Sequence, residues 1–140
     1  MSEDVRELAE TLARALEGRA EYMERLAEDP VPEVTRHDLE EILRKNRVVF
    51  LFFTADWCAP CINFLETFRS VALRLSRPGV FFGRVDVDRS FSIADKYEVK
   101  HIPTIVVLVD GKVVDTIVGS MSKERLEERV RKAIREATGA

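Results

Sequence analysis

The chain has 140 residues and a formal net charge of −3, from 25 acidic and 22 basic side chains. This small charge gives no electrostatic reason to expect nucleic acid or an anionic membrane as a partner. Hydrophobic residues make up 46% of the chain, which is enough for one buried core, and the longest apolar run, residues 48–53, is far too short to span a bilayer. Because the N-terminus is acidic, unlike a secretory signal, we expect a soluble cytoplasmic protein.

The amide and arginine contents are also informative. Glutamine is absent, asparagine occurs only at Asn46 and Asn63, and arginine outnumbers lysine 16 to 6. Few thermolabile amides and many ionic side chains are typical of thermophilic proteins. The base composition of a genome produces the same arginine bias, so both explanations stay open.

A first amphipathic helix is predicted over residues 3–28. Its apolar residues recur at helical spacing: Val5, Leu8, Leu12, Leu16, Met23 and Leu26. Pro30 and Pro32 then break the pattern, so we divide the chain into an N-terminal helical extension, residues 1–30, and a domain, residues 31–140. We expect the helix to pack against that domain first, and to form a homodimer contact as the second interpretation.

The domain begins with a helix and a buried strand. Thr35 is expected to cap the helix together with Asp38, three residues later. The following run, residues 48–53, is continuously apolar, which indicates a central strand covered on both faces. A helix over about residues 58–77 ends at the Pro-Gly pair that follows it.

The second half of the domain predicts a strand, a short helix, a hairpin and a last helix. The strand covers residues 80–87 and the short helix residues 91–97. Residues 104–109 and 112–118 then form a hairpin around Asp110-Gly111, a favoured turn dipeptide. Ser122 is expected to cap the last helix.

Both cysteines lie in one short motif, Cys58-Ala59-Pro60-Cys61, between the buried strand and the helix. Such a pair at the entry of a helix indicates redox chemistry. The first turn of a helix has unpaired N–H groups and partial positive charge, both of which favour a thiolate, and the thiolate is the reactive form of cysteine.

A zinc site is the plainer alternative for the cysteine pair. It needs two further ligands, and the histidines of the chain, His37 and His101, lie 21 residues before Cys58 and 40 after Cys61. This spacing is unlike that of compact zinc modules, so we predict no metal. We interpret His101 as a surface residue in the first place and as a modulator of the cysteines in the second. The carboxylates of Asp86 and Asp88 also suggest a metal, but we interpret them as outward-facing side chains at a strand end.

At this point the chain resembles the thioredoxin family over roughly residues 35–137. The motif from Trp57 to Cys61 resembles the family's Trp-Cys-Gly-Pro-Cys, with alanine in place of glycine. Ile102-Pro103, followed by threonine, resembles the family's Ile-Pro-Thr, whose proline is cis. The hairpin turn and Gly119 complete the resemblance. The fold class expected from it is α/β: a thioredoxin fold with a central mixed sheet flanked by helices, plus the extra N-terminal helix.

The resemblance implies a role for each residue of the motif. Cys58 is the exposed nucleophile and Cys61 the resolving thiol, with Ala59 and Pro60 shaping the loop between them. The redox-active disulfide serves in place of a cofactor.

Three further residues are implied to contact substrate. Trp57 forms an apolar rim, and the backbone of Ile102, just before Pro103, pairs with the substrate chain. Disulfide-containing proteins are the implied substrates, and a thioredoxin-reductase-type protein is the implied electron donor. We therefore expect a protein-disulfide reductase. A disulfide oxidant or isomerase, or a binding module that keeps the fold, stays as an alternative.

The sequence departs from the family at a buried acid. Phe52, six residues before Cys58, replaces the family's aspartate, and Arg84 stands where the family has its partner lysine. We expect Arg84 to find another partner or to reach solvent, and Cys61 to lack an internal carboxylate base. Asp56 is a candidate proton shuttle, although we favour a surface role.

Overall fold

The computed structural model describes residues 4–14, 16 and 29–139. Residues 4–14 and 16 are helical and are called α1. The remaining elements are α2 (Arg36–Lys45), β1 (Val48–Thr54), α3 (Ala59–Leu75), β2 (Val80–Asp86), α4 (Phe91–Lys96), β3 (Thr104–Val109), β4 (Lys112–Val118) and α5 (Lys123–Thr138). The order and type of the elements from α2 to α5 agree with those predicted, and the bounds from β1 to β4 differ from the predicted ones by at most two residues.

The four strands form one mixed sheet in the order β2-β1-β3-β4. β1 pairs in parallel with β2 and antiparallel with β3, and β3 pairs antiparallel with β4 through the predicted hairpin. The continuous apolar pattern of β1 is explained by this central place, because all its residues except the last are buried. The predicted mixed sheet flanked by helices is confirmed.

The core has two layers, one on each face of the sheet. Side chains that alternate along β1 divide between them: Phe50 and Phe52 pack with α3 and α5, whereas Leu51 and Phe53 pack with α2 and α4. The α3 side is rich in aromatic rings, and Phe50 stacks on Phe82 with their centroids 4.8 Å apart. This packing fixes the end of β1, and with it the position of the cysteine motif.

The segment before α2 is part of the sheet region rather than a linker. Val31 and Val34 are completely buried, the Arg84 N–H donates to the Pro32 carbonyl, and the Val34 N–H donates to the Arg84 carbonyl. The prolines made this stretch resemble a break, but Pro32 belongs to a short run, residues 32–34, that pairs with the edge of β2.

The expected packing of the N-terminal helix is not found in the part of the chain that the structure describes. Every described residue of α1 is exposed, and Leu8, Leu12 and Leu16 are 55–67% exposed. Both apolar layers are already covered by residues from Val31 onward, so the stripe of α1 has no described core to join. The rest of the predicted helix, with Met23 and Leu26, lies outside the described residues.

Candidate redox site

The two cysteines form a disulfide at the N-terminus of α3, with their Cα atoms 5.3 Å apart. Cys58 is the N-cap residue, with extended backbone, and its Sγ accepts a hydrogen bond of 3.3 Å from the Cys61 N–H. Pro60 lies in the first turn, where the missing N–H costs no helical hydrogen bond. The end of β1 and the start of α3 therefore place one sulfur directly against the free N–H groups of a helix.

Both sulfur-bearing residues are nearly buried, and this corrects one expectation. Cys58, predicted to be the exposed nucleophile, is 5% exposed, compared with 0% for Cys61. Both belong to the apolar layer that contains Phe52 and Phe64. Both cysteines lie against the core, and only Cys58 has a small exposed area.

Trp57 is the broad apolar surface beside the disulfide. Its side chain is 70% exposed, yet its indole N–H donates to Asp88 Oδ2 at 2.8 Å. That bond fixes the orientation of the ring while its faces stay open, as a contact surface requires. Ala59 and Pro60 are exposed next to it.

The loop before β3 carries the other implied contact residues. The Ile102–Pro103 peptide is cis, Pro103 is buried, and Ile102 is half-buried against the apolar layer that holds both cysteines. The Pro103 carbonyl accepts from the Gly119 N–H at 2.8 Å, so the loop is tied to the end of β4. His101 is exposed, which agrees with a surface role.

Asp88 is exposed as predicted, but Asp86 departs from the prediction that it faces outward. Asp86 is only 4% exposed, and its Oδ1 accepts from the N–H groups of Asp88 and Arg89 at 2.9 and 3.0 Å. These bonds turn the chain sharply after β2, which brings Asp88 to Trp57. The local sequence signal was an Asp at a strand end, a residue type that favours such turns.

Arg84, which faces Phe52 instead of the family's aspartate, forms an ion pair with another residue, as predicted. It lies opposite Phe52 in the β1–β2 register, and its guanidinium pairs with Asp29 Oδ2 at 3.0 Å and also contacts the Val31 carbonyl. Burial opposes ionisation of Asp29, but the Val31 N–H and the Arg84 guanidinium outweigh it and hold the pKa of Asp29 below its usual value of 3.8. Asp29 was not singled out in the sequence, because it lies far from the motif.

The described part of the chain contains no group of three or more His, Cys, Asp or Glu side chains able to hold a metal ion. Both histidines, His37 and His101, are exposed and stand on different elements. Within the same described residues, none of the helices has the length and apolar character needed to cross a membrane.

Comparison with known proteins decides the family. The thioredoxin family profile matches residues 30–132, which is more than half of the chain. The chain belongs to the thioredoxin family. It is 39% identical over 95 residues to the thioredoxin H-type of Picea mariana, a match that covers 68% of this chain and 74% of that one. It is 35% identical over 91 residues to a thioredoxin of Mycoplasmoides gallisepticum, covering 65% of this chain and 89% of that one.

Solved thioredoxin structures share the fold. The thioredoxin from Trypanosoma brucei brucei superimposes with a TM-score of 0.66 at 26% identity, over 75% of this chain and 91% of that one. The thioredoxin fold implied by the motifs is thereby confirmed. Together with the closed Cys58–Cys61 pair, family membership makes this protein an enzyme of thiol–disulfide exchange.

Proposed function

We propose that the protein reduces disulfides in other proteins, with Cys58 as the nucleophile and Cys61 as the resolving thiol. The observation that carries the proposal is the disulfide at the N-terminus of α3, where the Cys61 N–H points at Cys58 Sγ. Once the disulfide is reduced, the positive end of the helix dipole and the free N–H groups beside Cys58 Sγ favour the thiolate form of Cys58. Cys58 also has the more accessible sulfur-bearing side chain of the two.

The reaction proceeds in two exchanges. The Cys58 thiolate attacks one sulfur of the substrate disulfide, which forms a mixed disulfide and releases the other substrate sulfur as a thiolate that takes a proton from solvent. Cys61 then loses its proton and attacks Cys58 Sγ, which releases the second substrate thiolate and closes the Cys58–Cys61 bond. Two electrons pass from the enzyme to the substrate. The two product thiols take up two protons, which balance the one released by Cys61 and one from solvent.

Substrate contacts are assigned to the surface around the disulfide. The exposed ring of Trp57, which is hydrogen-bonded to Asp88, would contact the substrate. The backbone of Ile102, next to Pro103, would pair with the substrate chain. Ala59 and Pro60 keep the loop between the cysteines short and stiff. We propose that a reductase of the thioredoxin-reductase type supplies the electrons through its own dithiol. We further propose that the protein acts in the reducing cytosol.

Two serine variants test the assignment. Cys58→Ser is expected to abolish reduction of insulin disulfides, because the attacking sulfur is gone. Cys61→Ser is expected to accumulate a one-to-one mixed disulfide with the substrate, because the first exchange occurs and the second does not. Mass spectrometry after acid quenching identifies the trapped species. Insulin reduction that survives Cys58→Ser, or a Cys61→Ser protein that traps nothing, would contradict the proposal.

A further inference from the structure

Arg89 links three separate carboxylates beside the redox loop. Its Nε and Nη2 atoms donate to the two oxygens of Glu33 at 3.1 and 3.0 Å. The same Nη2 lies 3.2 Å from Asp86 Oδ2, and Nη1 lies 3.6 Å from Asp56 Oδ2. A planar guanidinium suits this arrangement because its donors diverge in one plane.

Asp56 brings this charge cluster to the cysteines. The Cys58 N–H donates to the Ala55 carbonyl at 3.1 Å, so Asp56 and Trp57 form the corner of a tight turn that leads into Cys58. The Asp56 side chain is 87% exposed, and it belongs to the second residue before Cys58. A negative charge near a cysteine sulfur disfavours the thiolate unless a cation offsets it.

The surroundings leave Arg89 as the cation that offsets Asp56. A cleft of about 190 Å³ beside the redox loop is lined by the charged residues Glu33, Asp56, Glu66, Arg84, Asp86 and Arg89. Of the two arginines, Arg84 pairs with Asp29. From the neighbouring helix, Glu66 adds negative charge and pairs with Arg69 at 3.3 Å. Among these lining residues, Arg89 alone is in ion-pair contact with Asp56.

We infer that Arg89 is a positioning residue for the redox reaction: by holding and neutralising Asp56, it keeps the negative charge of that carboxylate from destabilising the Cys58 thiolate. The inference rests on the proposed role of Cys58 as nucleophile. Opening the disulfide takes up two electrons and one proton when Cys58 stays ionised, so whatever destabilises the thiolate also disfavours reduction. Without Arg89, Cys58 is therefore less reactive and the couple has a more negative reduction potential.

A double-mutant cycle separates this electrostatic role from a purely structural one. The variants are Arg89→Gln, Asp56→Asn and their combination. The reduced proteins are alkylated with iodoacetamide from about pH 5 to 9 at low salt, and mass spectrometry follows Cys58. In Arg89→Gln we expect the half-maximal pH of alkylation to rise by about 0.5 to 1, roughly a three- to tenfold loss of rate below that pH. In the Asp56→Asn background, the same replacement is expected to change it little.

Two further variants sharpen the result. Arg89→Lys keeps the charge and is expected to restore most of the reactivity. Arg129→Gln is the matched control, because Arg129 on α5 makes a comparable bidentate ion pair with Asp115 on β4. The alkylation profile of this variant is expected to match that of the unmodified protein. The reduction potential of Arg89→Gln should become more negative, a tenfold change in the equilibrium constant corresponding to about 30 mV.

The inference is overturned if Arg89→Gln leaves the alkylation profile unchanged, or shifts it equally with and without Asp56. It is also overturned if Arg129→Gln produces the same shift. These readouts use a small reagent and a chemical equilibrium, so they do not depend on protein substrates. If the unmodified protein fails to reduce insulin, the proposed function fails while the Arg89 measurements still decide the inference.

Discussion

Phe52 changes the chemistry around the resolving cysteine at the level of a single residue. Its ring is completely buried and packs against Phe64 and Phe68, with centroids 5.6 and 5.1 Å away. The same apolar layer contains Cys61. Asp56, the candidate proton shuttle, instead has a highly exposed side chain paired with Arg89. The structure thus favours a Cys61 that passes its proton to solvent rather than to a protein base.

The release of the mixed disulfide should therefore depend strongly on pH. A thiol that ionises through solvent reacts in proportion to its thiolate fraction, so the rate is expected to rise about tenfold per pH unit until the thiol is ionised. Stopped-flow measurement of the second exchange, using the Trp57 fluorescence, follows this step. Asp56→Asn should leave the slope unchanged and the rate within about twofold. A rate that is flat near neutral pH, or that falls sharply in Asp56→Asn, would show that a carboxylate takes the proton.

At the scale of elements, side-chain caps fix the starts of two helices, α2 and α5. Asp38 Oδ2 accepts from the Thr35 N–H and hydroxyl at 3.1 and 2.7 Å, and Ser122 Oγ accepts from the Arg125 N–H at 3.2 Å. Both caps were predicted, because a capping side chain acts on its own first turn and needs no tertiary information.

Gly83 in β2 tests whether packing or local propensity decides a strand position. A Cβ atom there would lie 2.6 Å from Phe81 Cε1 and 2.7 Å from Val34 Cγ2. Strand propensity alone predicts that Gly83→Ala stabilises the protein. We expect a loss of about 1–3 kcal/mol in the free energy of unfolding by urea, because both buried neighbours have to move. In a Val34→Ala background the loss should be smaller, and an equal or higher stability of Gly83→Ala alone would contradict the account.

The pairing of Asp115 with Arg129 joins β4 to α5 and depends on pH. Arg129 donates to both Asp115 oxygens, at 2.9 and 2.6 Å, and these hydrogen bonds hold the pKa of Asp115 below its usual value of 3.8. A carboxyl group with a lowered folded-state pKa stabilises the fold above its unfolded pKa, and that contribution disappears as the pH falls through the folded value.

Asp115→Asn is therefore expected to cost about 0.5–1 kcal/mol at neutral pH. The difference from the unmodified protein should persist down to about pH 5 and vanish near roughly pH 2–3, where both proteins lack the charge. Urea denaturation at a series of pH values measures it. A difference that is constant across the whole pH range would mean that lost packing, rather than lost charge, explains the effect.

Most of the fold could be predicted, and the parts that could not share a physical cause. The central place of β1 followed from its continuous apolar residues, and the hairpin from Asp110-Gly111, because both are local patterns. The pairing of Pro32 with Arg84 and the contact of Trp57 with Asp88 join residues 52 and 31 positions apart. Such contacts depend on the assembled sheet, and no local pattern encodes them. The covered position of Asp86 was missed although its hydrogen bonds to the Asp88 and Arg89 N–H groups are local.

At the scale of the whole molecule, ion pairs are arranged in networks as well as alone. Arg89 contacts three carboxylates, and Glu127 contacts Arg74 at 3.4 Å and Arg131 at 3.9 Å. Networks of this kind gain value as temperature rises, because the cost of removing charges from water falls. The thermophilic explanation of the scarcity of amides stays a prediction beside genome base composition.

Thermal unfolding distinguishes these two explanations. We expect a melting midpoint above about 65 °C, beyond the range where mesophilic domains cluster, measured by calorimetry on the oxidised protein. Glu127→Gln should lower the midpoint, since it removes the shared partner of two arginines. A midpoint of about 45–65 °C for the unmodified protein would leave the arginine content to base composition.

The reduction potential of the Cys58–Cys61 couple tests the central claim most directly, because it decides the direction in which electrons flow. Equilibration with a dithiol buffer, followed by quenching and separation of the oxidised and reduced forms, gives this value. We predict a potential near about −270 mV, that of reducing thioredoxins. A value near about −180 mV or higher, the range of isomerases and oxidants, would contradict a role as a reductant and assign the enzyme to disulfide formation or rearrangement.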